Sequence, residues 1–221
     1  MLCSGDDALR AFGVASDTGD SEEDAADVQA VAARIGKALA AGLVHVEPQF
    51  VAGSLLSAVR DAAHARLASG HEDHHRISPP LGRLLSVVER LRRALAASTG
   101  RALLESAEIQ LLGYKPGGSY RRHLDDSAGL SIGTGGRQVR RSLSLLIYLT
   151  PDDWNVEQSG GSLRVHLPGG GQRNLMVDVP PLAGSLVVFD SATVPHEVLR
   201  TQRPRVVLAG WLQEVRQPAQ S

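Results

Sequence analysis

Cysteine is almost absent from this chain of 221 residues: Cys3 stands alone. No internal disulfide can form, and neither a zinc ribbon nor a thioredoxin-type dithiol is available. Aromatic rings are also scarce, at 4% of the residues: Phe12, Phe50, Tyr114, Tyr120, Tyr148, Trp154, Phe189 and Trp211. A core so poor in rings must be built from Leu, Val and Ala, and six of the eight rings fall between positions 114 and 211. Lysine is confined to Lys37 and Lys115, against 21 arginines. No apolar run approaches the ~18 residues of a membrane span. The start, MLCSGDDALR, lacks the basic flank and apolar stretch of a secretory signal. The expectation is a cytoplasmic chain (nuclear if the source is eukaryotic), neither secreted nor membrane-bound.

What is present is one domain's worth of chain with an uneven charge distribution. The net charge of −1 conceals eight acids against Arg10 in residues 1–27, and 16 acids against 22 bases in the rest. The modest positive balance of the body is compatible with an acidic substrate or cosubstrate and too weak to indicate a nucleic acid. Residues 1–27 read as an acidic, disordered tail. Residues 28–100 read as helices. Val28, Val31, Ile35 and Leu39 share one face of the first, which Gly42 ends. A short strand is expected over 43–51. Ser54 is the expected N-cap of a second helix that buries Leu55, Val59 and Leu67 and closes at Gly70. HEDHHRISPP (71–80) reads as a loop. A third helix carries Leu81, Leu84, Leu85, Val88, Leu91 and Leu95 inward and stops near Gly100.

Beyond Gly100 short β-rich runs alternate with Gly/Pro turns, at 108–114, 141–150, 161–167, 174–179, 185–190 and 205–214. Helices followed by many short strands give an α+β chain with a jelly-roll core over 101–216. In this region His123 and Asp125 of RRHLDD are two residues apart, which on an extended strand places both on one face. His196 of TVPHEV would complete two imidazoles and one carboxylate. That facial set leaves coordination positions open, as non-haem Fe(II) oxygen chemistry requires. Arg205 opens the last strand, RVVLAGWLQE, where parity puts Arg205, Val207, Ala209 and Trp211 on one face. An inward arginine is costly unless it meets an anion, and a carboxylate matches its planar fork. Tyr148 could add a phenolic hydrogen bond, with Leu146, Leu163 and Val198 as apolar lining, which describes a pocket for a small dicarboxylate beside a metal.

GYKPGGSYRRHLDD, RRSLSLLIYLTPDDW, SGGSLRV, VPPLAGSLVVFDSATVPHEV and RPRVVLAGWLQE occur in that order over about 108–214. Together they resemble the 2-oxoglutarate/Fe(II) dioxygenases of the prolyl 4-hydroxylase type. The match is nearest to the Arg-using branch of oxygen-sensing prolyl hydroxylases and their bacterial relatives. The resemblance implies a double-stranded β-helix (cupin-like) core with supporting N-terminal helices. It implies Fe(II) on His123, Asp125 and His196, and the distal carboxylate of 2-oxoglutarate on Arg205 and Tyr148. Tyr114, Leu163, Val198 and Trp211 would line the cosubstrate pocket. O2 is the implied oxidant and succinate and CO2 the coproducts, with ascorbate a further candidate cofactor. The best-matching substrate is a prolyl residue in a peptide or protein. The alternatives are a free amino acid or small metabolite, or a non-catalytic metal-binding sensor or scaffold.

Other residues divide between roles. Tyr120 and Arg141 are candidate substrate-facing groups, and Tyr120 equally suits a supporting role beside the metal strand. Arg121 and Arg122 read as solvated or as steering an anion. Trp154 is expected to cover a sheet edge, Phe189 to sit in the core, and His166 to face outward with Arg164, away from any metal. His71, His74 and His75 read as a solvated loop. The Gly-rich segment 126–140 is either a substrate lid or a plain surface excursion.

Overall fold

In a computed structural model of the chain, residues 7–10, 27–69, 77–126, 131–132, 138–167 and 175–215 are described. Three helices come first: α1 (Val28–Ala40), α2 (Gly53–Ser69) and α3 (Pro79–Thr99). The Asp27 carboxylate accepts from the Gln29 and Ala30 amides at 2.9 and 3.3 Å, so the residue expected to end the tail is the N-cap of α1. Gly53 opens α2, which places Ser54 inside the helix rather than at its cap. Pro79 and Pro80 belong to the first turn of α3 and not to the preceding loop, because that turn's N–H groups have no intrahelical acceptor to lose. Gly100 ends α3 in the left-handed conformation at φ 67°.

The strands form two antiparallel sheets. The larger contains β1 (Asp7–Arg10), β2 (His45–Glu47), β3 (Leu103–Tyr114), β5 (Ser131–Ile132), β6 (Gln138–Tyr148), β9 (Leu186–Asp190) and β11 (Arg205–Val215). Its order is β1-β3-β11-β6-β9-β2, with β5 on β6. The smaller contains β4 (Tyr120–His123), β7 (Leu163–Leu167), β8 (Leu175–Val179) and β10 (His196–Val198), in the order β4-β10-β7-β8. A four-residue helix, α4 (Val156–Ser159), precedes β7. One finding differs from expectation: Asp7–Arg10, inside the presumed tail, pairs with β3. β2, within the strand expected over 43–51, pairs with β9, so the 28–100 segment supplies one edge of the larger sheet. Gly70, the 71–75 histidine run, Cys3 and most of 126–140 lie outside the described residues.

Alternation sorts the larger sheet into two cores. Leu143, Leu145 and Ile147 of β6, Leu186 and Val188 of β9, Ile109 and Leu111 of β3 and Val206, Leu208 and Leu212 of β11 cluster with Val31, Ile35, Leu84, Leu91 and Leu95 of the helices. Gly210 shares that parity, and a Cβ there would lie 2.7 Å from Ile109 Cδ1 and 2.8 Å from Leu145 Cδ1, so the close approach of three strands excludes a side chain. Residues of opposite parity, among them Tyr114, Tyr148, Val187, Phe189 and Val207, join Leu163, Val165 and Val198 of the smaller sheet in a second cluster. The helices thus cover the outside of the larger sheet, and its inner face meets the smaller sheet as a double-stranded β-helix.

Candidate metal and cosubstrate site

The inner face carries two polar groups of residues, joined by an apolar stretch. At one end His123, Asp125 and His196 offer ligand atoms that all lie within 4.8 Å of one another. Register accounts for the two imidazoles, since His196 of β10 is directly opposite His123 of β4 and their ring centroids are 4.2 Å apart. Asp125 is not on the strand, as the spacing suggested. β4 ends at His123, and Asp125 lies in the bend that follows, so the turn rather than strand parity brings it round. Its Oδ1 is 3.2 Å from His123 Nε2 and its Oδ2 3.7 Å from His196 Nε2.

Both rings are oriented from behind. His123 Nδ1 is 2.9 Å from the Arg121 carbonyl, and His196 Nδ1 is 3.1 Å from the Val194 carbonyl. A carbonyl can only accept, so each Nδ1 carries the proton when its ring is neutral, and each Nε2 lone pair faces the cluster. Ser144 Oγ donates to Asp125 Oδ2 at 2.6 Å, and Ser191 Oγ lies 2.8 Å from Ser144 Oγ. Burial by itself would raise the Asp125 carboxyl, but hydrogen bonds from His123, Ser144 and Trp211 and the charge of His196 hold it at about 2. Burial lowers the His196 imidazole below its ordinary value and favours the neutral ligand form. Burial acts the same way on His123, yet the hydrogen bonds to Asp125 and the Arg121 carbonyl outweigh it and the net shift is upward. Two imidazole nitrogens and an ionised carboxylate fit Fe(II) with open positions.

At the other end Arg205 is 1% exposed. It opens β11 opposite Tyr114, and its guanidinium carbon is 5.0 Å from the Tyr114 ring centroid and 5.1 Å from that of Tyr148. Its Nε donates to the Gly161 carbonyl at 2.9 Å. Among the described residues Arg205 Nη1, Nη2 and the Tyr148 hydroxyl are buried without a hydrogen-bond partner. Burial raises the Tyr148 phenol, partly offset by Arg205, so it stays a neutral donor. Two parallel N–H groups and a phenol in an apolar enclosure match a carboxylate. Gly161 makes the approach feasible, since at φ 75° an added Cβ would be 3.1 Å from Arg205 Cδ.

Leu163 and Val198 belong to the same apolar cluster as Tyr114 and Tyr148, and Leu146 packs against it. Trp211 is on the same β11 face but at the metal end, opposite Ser144, where the Arg141 guanidinium stacks 3.8 Å from its ring centroid. Arg141 is thereby committed, with Glu108 oxygens 2.6 and 3.1 Å from its nitrogens. Tyr120 is 43% exposed and meets the His123 ring edge-on at 4.6 Å, so it supports the ligand from the open side and is not core. Phe189 is fully buried and packs 4.7 Å from the His196 ring centroid. His166 lies on the Arg164 face of β7, away from the metal cluster as expected, but it is buried there, 3.0 Å from Glu197 of the adjacent β10. Trp154 is buried with its indole donating to the Gly160 carbonyl at 3.2 Å. The sequence reading missed Ser144 and Ser191. Ser144 had a usable signal, because it shares its strand face with Tyr148 in an otherwise apolar run.

Comparison with known proteins agrees with this geometry. Residues 109–213 match the 2OG-Fe(II) oxygenase superfamily. The chain is similar to a prolyl-4-hydroxylase from Pseudomonas putida, with 31% identity and a TM-score of 0.67 over 85% of this chain and 95% of that one. It shares its fold with a Trichoplax adhaerens prolyl hydroxylase solved with a hypoxia inducible factor oxygen degradation domain peptide fragment (18% identity, TM-score 0.68, 84% and 90% of the two chains). It also shares its fold with EctD from S. alaskensis, solved with 2-oxoglutarate and 5-hydroxyectoine (16% identity, TM-score 0.56, 90% and 79%).

Proposed function

The chain belongs to the 2OG-Fe(II) oxygenase superfamily, and we propose that within it the substrate is a prolyl residue of a peptide or protein. It is a 2-oxoglutarate-dependent dioxygenase of the prolyl 4-hydroxylase type, and uses Fe(II), 2-oxoglutarate and O2. The site assignment is part of the same proposal. His123, Asp125 and His196 hold the iron, and Arg205 and Tyr148 hold the distal carboxylate of the cosubstrate. The observation that carries it is the buried, half-unpartnered Arg205 on the sheet face that also carries Ser144 and Trp211 beside Asp125.

With both groups bound, the site supplies the oxidative decarboxylation of 2-oxoglutarate to succinate and CO2, with one oxygen of O2 going to succinate and the other entering a substrate C–H bond. The protein's share is placement. The Arg205 fork and the Tyr148 hydroxyl fix one end of the cosubstrate, and Leu163, Val165, Val198 and Val207 exclude water between that end and the metal. The Ser191–Ser144 pair keeps Asp125 ionised and in position, and the backbone carbonyls keep both Nε2 atoms turned inward.

The substrate proposal rests on the 31% identity to a prolyl-4-hydroxylase over nearly the whole of that chain. A succinate-release screen with proline-containing peptides, free amino acids and small metabolites tests it. Oxygen incorporation into a prolyl peptide is the expected result, and selective turnover of a free amino acid or metabolite would replace it. The requirement for ferrous iron and 2-oxoglutarate favours a reducing interior, and we place the protein in the cytoplasm; cell fractionation checks this.

A further inference from the structure

We propose that Arg101 and Asp190 form a positioning pair for the metal ligands, acting through the turn between β9 and β10; this rests on the reading that His123, Asp125 and His196 hold the metal. Arg101 lies between α3 and β3, upstream of the 109–213 family segment. Its backbone amide meets Thr99 Oγ1 at 3.4 Å, and Thr99 Oγ1 in turn donates to the Leu95 carbonyl of α3 at 2.6 Å, so the residue is anchored in the helical layer. Its side chain reaches across to two strands at once. Nη2 donates to Asp190 Oδ2 at 2.7 Å, while Nη1 donates to the Ser142 hydroxyl at 2.8 Å and the Ser142 carbonyl at 3.2 Å.

Asp190 spends its second oxygen on the turn. Oδ1 accepts from the Ala192 and Thr193 amides and the Thr193 hydroxyl at 3.0, 3.1 and 3.0 Å. The Val194 amide returns to the Asp190 carbonyl at 3.3 Å, and the Ser191 amide bonds the Ser142 carbonyl at 3.2 Å. This turn carries two of the supports described above. Ser191 backs Ser144, which donates to Asp125, and the Val194 carbonyl sets the tautomer and direction of His196. A single guanidinium therefore ties the helical layer and β6 to the segment that orients two of the three ligands. Lysine cannot replace it, because one ammonium does not span Ser142 and Asp190 in the fixed geometry of a planar fork.

The test is Co(II) binding to the metal-free protein, followed by its visible band and by calorimetry, together with hydrogen exchange of the 191–196 amides. Arg101→Ala is expected to weaken Co(II) binding about tenfold, the lower end of what loss of a ligand-orienting partner costs, and to speed exchange at Ala192 and Thr193. Asp190→Asn retains an oxygen for the turn and loses the ion pair, so it should match Arg101→Ala. The double variant should be no weaker than the worse single one, because both remove one linkage. Arg101→Lys should fall between wild type and Arg101→Ala. Arg34→Ala is the control: it breaks a similar pair, from α1 to Glu47 of the edge strand β2 at 2.8 Å, and should leave Co(II) affinity unchanged. Co(II) affinity within about twofold of wild type in Arg101→Ala, at whatever thermal stability, would overturn the proposal. If Arg101→Ala does not fold, Asp190→Asn and Arg101→Lys decide by the same measurement. Wild-type protein whose Co(II) binding is insensitive to His123→Ala would instead overturn the ligand assignment, a separate outcome.

Discussion

Alternate residues of β6 face two different environments, and the contrast between them explains the molecule. Leu143, Leu145 and Ile147 point at the helices, are essentially inaccessible, and carry no polar side-chain atom. Ser144, Leu146 and Tyr148 point the other way, and two of those three are polar. Ser144 meets Asp125, and the Tyr148 hydroxyl is buried with no partner among the described residues. The same division runs across β11, where Val206, Leu208 and Leu212 serve the outer core while Arg205 and Trp211 serve the inner face. One face accumulates apolar burial, which favours folding. The other gives up part of that burial to hold polar atoms where ligands need them, at some cost in stability.

Substitutions on the inner face should act on chemistry first. His196→Ala removes a ligand and should reduce succinate formation to background while circular dichroism stays that of the folded protein. Residual turnover near wild type would detach His196 from the metal. Arg205→Met should raise the 2-oxoglutarate KM about 100-fold, since hydrogen bonds to charged groups contribute about 1.5–3 kcal/mol each. The same variant should leave the ligand-free protein as stable as wild type or more so, because an unpaired buried cation is replaced by an apolar side chain of similar length. A large loss of thermal stability would show that Arg205 is structural.

Leu145→Ala, one residue from Ser144, should do the reverse. Loss of a buried leucine costs about 2–5 kcal/mol, read as a lower denaturation midpoint, with the 2-oxoglutarate KM unchanged. A changed KM at equal stability loss would mean that the two faces are coupled. The smallest effect concerns pH. His123 is shifted upward in the metal-free protein, so protons compete with the metal for its Nε2. Metal affinity should therefore be fully present at pH values above the raised His123 pKa and decline as pH falls through it; titrations from pH 8 to about 5.5 would follow this. Asp125, held at about 2, should remain ionised over that whole range.

Much of this division was legible in the chain itself. Strand parity placed Arg205 with Trp211 and separated Leu163 and Val165 from Arg164, because side chains alternate at a fixed period of two. The helix faces of α1 and α3 were equally plain from the spacing of Val31, Ile35, Leu84, Leu91 and Leu95. One short element was less visible. β10 has three residues, and its extended conformation depends on partners distant in sequence. Asp125 does come beside His123 and His196, but through a bend after β4 and not through strand parity. His166 does share the Arg164 face as parity implies; its burial there was not legible, because the cover comes from Glu197 of a neighbouring strand.

The sequence by itself determined which residue types were available and which shared a face: the ordered motifs, the two histidines with one aspartate, and a single inward arginine opening the last strand. Only the tertiary structure decided that β4 and β10 are neighbours in register, that Arg141 is already held by Glu108 and Trp211, and that Arg101 reaches the turn behind His196. The physical reason is range. Periodicity is a local property of the backbone, whereas an ion pair such as Arg101–Asp190, spanning 89 positions, exists only after sheets and helices have closed around it.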